Sequence, residues 1–306
     1  MAIKIIPKIS LIICSYNRAR FIKPALQSIL SQQYEDYEVI FVENNSPDNT
    51  LEICQSFQNR HPEFPLKIFT ELNQGHSFAR NRGINESNGE IISFIDDDVV
   101  LQADFLKNID IFFDQRPKVK AAGGKIVPKF EAGRPIWLSS FLEPLYACVD
   151  LGNLPKRFAG RKYPFGANMT FRAAIFKQIG QFNTDLGRKG NGLMGADEKD
   201  VFQRIKDIGE EIWYMPNVSL LHIMPADRGE VAYIKRQAIA VGQSERVRVG
   251  NQFSSVLNKG VSELLKWAGS VVLGIWYLLQ MQAAKAVMLL RFRYWVLLGL
   301  LGIRKA

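Results

Sequence analysis

Short runs of β-branched and aromatic residues alternate with helically spaced stretches through residues 1–127, and this alternation leaves few architectures open. The apolar runs are Ile9–Cys14, Tyr37–Val42, Leu66–Thr70, Glu90–Ile95 and Ala121–Val127. Between them, helical patterns fall at Phe21–Ser31, Thr50–Asn59, Ser77–Glu86 and Asp104–Gln115. Such alternation predicts parallel strands joined by right-handed crossovers. The expected fold is therefore α/β, with a doubly wound, mostly parallel sheet. A chain of 306 residues is long enough for that domain and an appendage.

Regularity lapses after Pro128. Residues 129–165 mix Gly133, Pro135, Pro144, Pro155 and Pro164 with aromatic and basic residues, the composition of a long surface excursion over a site. It returns with a strand at Ala167–Arg172, a helix at Ala173–Ile179 and a glycine-rich stretch, Gly187–Gly192. A helix over Asp197–Ile208 and strands at Glu211–Tyr214 and Val218–His222 complete the pattern. The stretch Ile9–Cys14 is cut off by Ser15-Tyr16-Asn17-Arg18 before a signal-peptide core is complete, and it reads as a first strand. Cys14, Cys54 and Cys148 are too scattered for a disulfide framework, which fits a reducing compartment.

Three consecutive aspartates, Asp96-Asp97-Asp98, follow directly on Ile91–Ile95. They emerge at the carboxyl end of a strand, where open α/β sheets bind ligands, and they read as surface carboxylates there. Like charges crowded together are unfavourable without a cation, and hard divalent ions with oxygen ligands are the usual partners. Taken alone, the triplet fits an acidic turn equally well. The corner Ser15-Tyr16-Asn17 ends the first strand with groups that can stack a base and bind a ribose, although Tyr16 serves equally as a cap on the core. Glu43 follows Val39–Val42 at the second strand tip, at a height to accept a hydrogen bond from a base N–H. Asp48, Asn49 and Thr50 are good helix caps. No GxGxxG or Walker sequence is present, so neither a dinucleotide fold nor a P-loop is supported.

In this order the pieces resemble the family 2 glycosyltransferases of GT-A fold. The opening strand and corner are similar to Ser10–Asn17, the acidic second-strand tip to Glu43 with Ser46, and the Asn-x-Gly…Ala-Arg-Asn-x-Gly run to Asn73–Gly83. The metal-binding Asp-x-Asp is similar to Asp96–Asp98. Gly166–Arg172 followed by Gly180-Gln181-Phe182 resembles the sugar-side strand and turn. Gly195-Ala196-Asp197-Glu198-Lys199-Asp200 resembles the acidic helix start that supplies the catalytic base, and His222 ends the last strand. The resemblance spans about residues 9–223, and the ordered series is more specific than any single element. Where the family usually has Glu-Asp this chain has Asp197-Glu198, and where Asp is commoner it has Glu43.

The resemblance implies metal-dependent, inverting transfer from a nucleotide-diphosphate sugar, with UDP favoured, to a hydroxyl of a saccharide or lipid-linked acceptor in cell-surface polysaccharide or glycan synthesis. It assigns Asp98, Asp96 and His222 to Mn²⁺ or Mg²⁺. It assigns Ser15, Tyr16, Asn17, Glu43, Arg80, Asp96 and Asp97 to the nucleotide, and Gly166 and Asn168 to the sugar and acceptor. Glu198 or Asp197 is the base. The rival readings are a nucleotidyltransferase on a similar sheet and a catalytically silent carbohydrate- or membrane-binding scaffold.

The net charge of +9 is confined to one end. From Arg228 onward there are 12 basic and 3 acidic residues, whereas residues 1–227 hold 27 of each sign. Glu230–Gly250 reads as a basic amphipathic helix, and the apolar runs Trp267–Ala284 and Tyr294–Ile303 follow, with Arg291, Arg293, Arg304 and Lys305 around the second. The first run barely reaches the roughly 18–20 residues of a membrane span, and the second falls short. The expected division is a transferase domain at 1–227 and a helical, membrane-associating region at 228–306. Basic charge beside apolar helix points to an anionic membrane surface, at the cytoplasmic face, rather than to nucleic acid. The soluble alternative is a homo-oligomer interface. Ending the chain near Ser254 is expected to make it more soluble.

Overall fold

A computed structural model of the chain describes residues 6–160, 162–187, 197–249 and 253–303. Its first half alternates β1 (Ile9–Ser15), α1 (Ala19–Leu30), β2 (Tyr37–Glu43), α2 (Thr50–Arg60), β3 (Leu66–Thr70), α3 (His76–Glu86) and β4 (Ile91–Ile95). A short β5 (Val99–Leu101), α4 (Phe105–Gln115) and β6 (Ala121–Phe130) follow. Next come β7 (Lys156–Arg157), β8 (Asn168–Arg172), α5 (Phe176–Ile179), α6 (Asp197–Asp207) and β9 (Ile212–Met224). The chain closes with α7 (Val231–Val249), α8 (Phe253–Leu279) and α9 (Ala283–Leu301).

The sheet runs β3-β2-β1-β4-β8-β6-β9-β5, with β7 paired to β9. Its first four strands are parallel, as the strand–helix alternation predicts. Beyond them the prediction of a mostly parallel, doubly wound sheet is corrected. β8 is antiparallel to both β4 and β6, and β5 and β7 are antiparallel to β9, so the sheet is mixed. An apolar run carries no strand direction, which is set by the connection. Two consequences of the antiparallel half shape the site. Asn168 pairs with Ile95, which delivers the start of β8 to the acidic tip of β4. Val99 pairs with His222, which delivers His222 to Asp98.

β1, β2 and β4 are buried on both faces, the pattern of strands covered by helices on each side. α1 buries Phe21, Ile22, Ala25, Leu26 and Ile29. The two strands expected at Glu211–Tyr214 and Val218–His222 are one continuous β9 through Pro216.

The chain divides into two compact units, Met1–Pro128 with Ala147–Ile223, and Lys129–Tyr146 with Met224–Ala306. In the second, residues 129–146 are not the surface excursion that their composition predicts. Leu138, Leu142 and Tyr146 are buried in an apolar cluster with Ile234 and Ala238 of α7 and Met288, Phe292 and Trp295 of α9. Their four-residue spacing carries that signal. α7 and α9 cross closely at Gly242 and Gly299, where a Cβ would overlap the carbonyl of Val296 and of Ile239 respectively.

α8 is amphipathic in the reverse sense. It buries Glu263, Ser270 and Tyr277, with Lys266 Nζ 2.7 Å from Glu263 Oε1 and Arg293 Nε donating to Ser270 Oγ at 2.9 Å. Its apolar residues face outward, with Leu265 69% and Leu279 74% exposed and Val272 midway between them. Among the described residues, no helix is long and apolar enough to cross a membrane.

Candidate active site

The tip of β4 concentrates the charge. Asp97 and Asp98 are buried, and Asp98 is only 3% exposed, so the reading of surface carboxylates is corrected. Asp98 Oδ1 lies 2.9 Å from His222 Nε2, and its Oδ2 lies 3.2 Å from Arg18 Nη2. Ser15 Oγ donates to Asp97 Oδ2 at 2.6 Å, and Arg18 Nε sits 3.7 Å from Asp97 Oδ1. Burial, and then the Asp98 charge, push the Asp97 carboxyl up to about 7, against Arg18 and the Ser15 hydroxyl. Asp96, Asp98 and His222 each offer one ligand atom, all within 4.8 Å of one another. Nδ1 of His222 is buried with no hydrogen-bond partner among the described residues. Two carboxylates, an imidazole and surplus negative charge fit Mn²⁺ or Mg²⁺.

The neighbouring corner joins β1 to β2. Ser15 pairs in register with Glu43, and both are buried. Asn17 adopts a left-handed φ of 56°, a conformation Asn tolerates, and its backbone N–H donates to Ser46 Oγ at 3.1 Å. Glu43 accepts from the Ser46 backbone N–H. Tyr16 is half-buried beside them. Two contributors escape sequence reasoning. Arg18, next to Asn17 in the chain, supplies the cation nearest Asp97 and Asp98. Asn44 donates to the carbonyls of Glu71 and Asn73 and accepts from Gly75 N–H, which fixes the approach to α3. A turn-forming Asn after a strand tip was the only signal for it.

A second cluster surrounds Arg80 on α3. Its side chain is 2% exposed, with Nη1 at 2.5 Å from Asp197 Oδ2 and Nη2 at 3.0 Å from Glu198 Oε1. Its guanidinium lies 5.2 Å from the Phe182 ring centroid. Asp197 is 4% exposed and Glu198 25%. Burial works against ionisation of Asp197, but Arg80 and then His76 hold it below the usual carboxylate range. Burial pushes Glu198 up, with Asp197 and Asp96 adding to the effect and Arg80 opposing it. Gly166 packs on this group, since a Cβ there would overlap Arg80 Nη2 and Glu198 Oε1. Asn168 lies apart, fully buried, its Nδ2 donating to the carbonyls of Lys125 and Val218 across the sheet. Residues 188–196, with most of the glycine-rich stretch and Gly195-Ala196, lie outside the described residues.

The family model for glycosyl transferase family 2 matches residues 10–180, more than half of the chain. The chain belongs to this family. Glycosyltransferase family 2 relatives extend the match. The chain is 36% identical over 262 residues to the uncharacterized glycosyltransferase EpsJ of Bacillus subtilis, covering 80% of this chain and 74% of that protein. It is 26% identical over 243 residues to the glucosyl-dolichyl phosphate glucuronosyltransferase of Haloferax volcanii, covering 78% and 77%. Among solved structures, the mannosyltransferase PcManGT of Pyrobaculum calidifontis, in complex with GDP-Man and Mn²⁺, superposes with a TM-score of 0.59 at 21% identity, over 98% of this chain and 76% of that one. S. aureus TarS 1–349 in complex with UDP-GlcNAc gives 0.54 at 20% identity, over 76% and 66%. These two likenesses show a shared GT-A-like fold. As a family 2 glycosyltransferase the protein is a metal-dependent enzyme that moves a sugar from a nucleotide-sugar donor to an acceptor, and Asp96, Asp98 and His222 are a group that could hold its divalent ion.

Proposed function

We propose that the protein is an inverting transferase whose base is Glu198 and whose acceptor is lipid-linked. One observation carries the choice within the acidic pair: Asp197 is sealed against Arg80, whereas Glu198 keeps a quarter of its side chain open to solvent. An acceptor hydroxyl is a poor nucleophile at neutral pH and must lose its proton in the transition state. Glu198 takes that proton, and its raised pKa makes it a stronger base than an ordinary carboxylate. Direct attack by the activated oxygen on the anomeric carbon inverts that centre. Asp96, Asp98 and His222 would hold a divalent ion, which would neutralise the charge that develops on the departing nucleoside diphosphate. Ser15, Tyr16, Asn17 and Glu43 line the corner that receives the nucleoside, and Arg18 stands beside the carboxylates that face the diphosphate. Gly166, beside Glu198, marks the sugar side, whereas Asn168 is committed to the sheet and supports that strand from within. A UDP-sugar is the favoured donor.

Residues 1–227 carry the chemistry in this reading, and residues 228–306 hold the protein at the cytoplasmic face of an anionic membrane. The confinement of the +9 excess beyond Arg228 supports that division, as does the outward apolar face of α8. The Haloferax relative is named for an acceptor on dolichyl phosphate, which favours a lipid-linked acceptor here. Calorimetric titration with UDP and GDP, with and without Mn²⁺, tests the donor site, and a nucleotide-sugar panel identifies the donor. Glu198→Gln is expected to bind nucleotide normally and turn over roughly 10²- to 10⁴-fold more slowly. Wild-type turnover in that variant removes Glu198 as base.

A further inference from the structure

We infer that Arg80 is a positioning residue, which holds the two adjacent carboxylates so that Glu198 alone faces the acceptor, and that it is not a nucleotide ligand. The inference rests on the reading that this pair supplies the base. Both Nη atoms of Arg80 are committed to carboxylates, at 2.5 Å to Asp197 and 3.0 Å to Glu198, and its side chain is nearly sealed from solvent. A ligand phosphate or base cannot reach that fork without displacing one of them. A planar guanidinium holds two neighbouring carboxylates on two separate nitrogens at a fixed spacing, whereas an ammonium offers one nitrogen on a flexible stem. The surroundings are shaped for the arrangement. Gly166 leaves room for Nη2 and Glu198 Oε1 to meet, and Phe182 lies against the guanidinium. Asp197 acts as the counter-ion that anchors Arg80, and Glu198 is the arm that remains partly open.

The test uses the full chain and the variants Arg80→Lys, Asp197→Asn and their double, with UDP and GDP in Mn²⁺ as binding probes and nucleoside diphosphate release from the best nucleotide-sugar as turnover. Arg80→Lys is expected to leave nucleotide Kd and donor KM within about threefold and to lower kcat by roughly 10²-fold, the effect of misplacing a reacting group by about 1 Å. Asp197→Asn should lower kcat less, and the double variant no further than Arg80→Lys, because both act through one geometry. Nucleotide Kd raised about tenfold or more in Arg80→Lys would make Arg80 a nucleotide ligand and overturn the proposal. So would wild-type kcat. Should Arg80→Lys fold poorly, Gly166→Ala presses on Arg80 and Glu198 without removing a charge, and the same split of kcat from Kd is expected; wild-type kcat or a raised Kd there overturns the proposal as well. Glu198→Gln separates the two ideas. Full activity in Glu198→Gln sinks the base assignment itself, while an inactive Glu198→Gln beside a wild-type Arg80→Lys sinks only the positioning role.

Discussion

At the scale of single residues, the acidic tip of β4 is a buried charge cluster rather than a surface feature. Asp98 is flanked by His222 and Arg18, and Asp97 is pushed up to about 7 by burial and by Asp98. Asp98→Asn keeps the shape and removes the charge. It is expected to abolish Mn²⁺-dependent nucleotide binding, raising Kd at least about tenfold, while the melting temperature in EDTA stays near that of the wild type because repulsion on Asp97 falls. Calorimetry and thermal melts read both, and undiminished Mn²⁺ dependence would remove Asp98 from the metal site. The triplet alone fits an acidic turn equally well, and it was legible because it stands in an ordered series with the Ser15-Tyr16-Asn17 corner, Glu43 and the Asp197-Glu198 helix start. Arg18 was not, since its value lies in a pairing across 80 residues that no local pattern announces. The closeness of Arg80 to the acidic helix start was equally hidden, because it depends on α3 and α6 meeting in space.

At the scale of elements, strand positions were legible to within a few residues, and strand directions only in the parallel half. β5 and β7 were missed because three and two residues cannot display a period. The parallel half is pinned near its amino end by Glu38 of β2, which accepts from Ser10 Oγ at 2.6 Å, from Asn88 N–H at 2.7 Å and from Lys67 Nζ at 2.5 Å. Burial opposes ionisation of Glu38, but these donors, led by Lys67, bring its pKa below the ordinary value. The stabilisation is therefore present above the unfolded pKa and is lost as pH falls through the folded one. Glu38→Gln should lower the melting temperature most near pH 7, and the difference from wild type should shrink as the pH falls below the ordinary glutamate range. A difference that persists unchanged in acid would show that packing, not charge, is at work. In the helical unit, Gly299→Val forces a branched side chain against the carbonyl of Ile239. A loss of about 1–3 kcal/mol is expected from overpacking, read as an earlier denaturant midpoint with Mn²⁺-dependent nucleotide binding retained in native buffer.

At the scale of the whole molecule, charge and hydrophobicity separate along the chain. Residues 1–227 carry no net charge, and the basic excess falls in the helical end of the chain, where α8 turns apolar side chains outward. Changing Leu265, Val272 and Leu279 together to Gln removes one stripe of α8. With about 1.5–3 kcal/mol lost per buried side chain, co-sedimentation with phosphatidylglycerol vesicles should weaken at least about 10²-fold while nucleotide binding is unchanged. If instead the wild type ignores vesicles at low salt and the variant turns from oligomer to monomer, the stripe is an interface between copies. Truncation near Ser254, expected from the sequence to improve solubility, has the opposite forecast here. It strips α9 from Leu138, Leu142, Tyr146 and α7 and leaves that cluster uncovered.

The same cluster sets an order of events during synthesis. Residues 129–146 leave the ribosome well before α7 and α9, and the partners that bury Leu138, Leu142 and Tyr146 are made only after all of 147–223. Throughout that interval the nascent chain carries an apolar segment with nothing of its own to cover it, while strands on either side can already pair. Such a segment is a natural place for a chaperone to hold the chain, and a translational pause between β9 and α9 would lengthen its exposure.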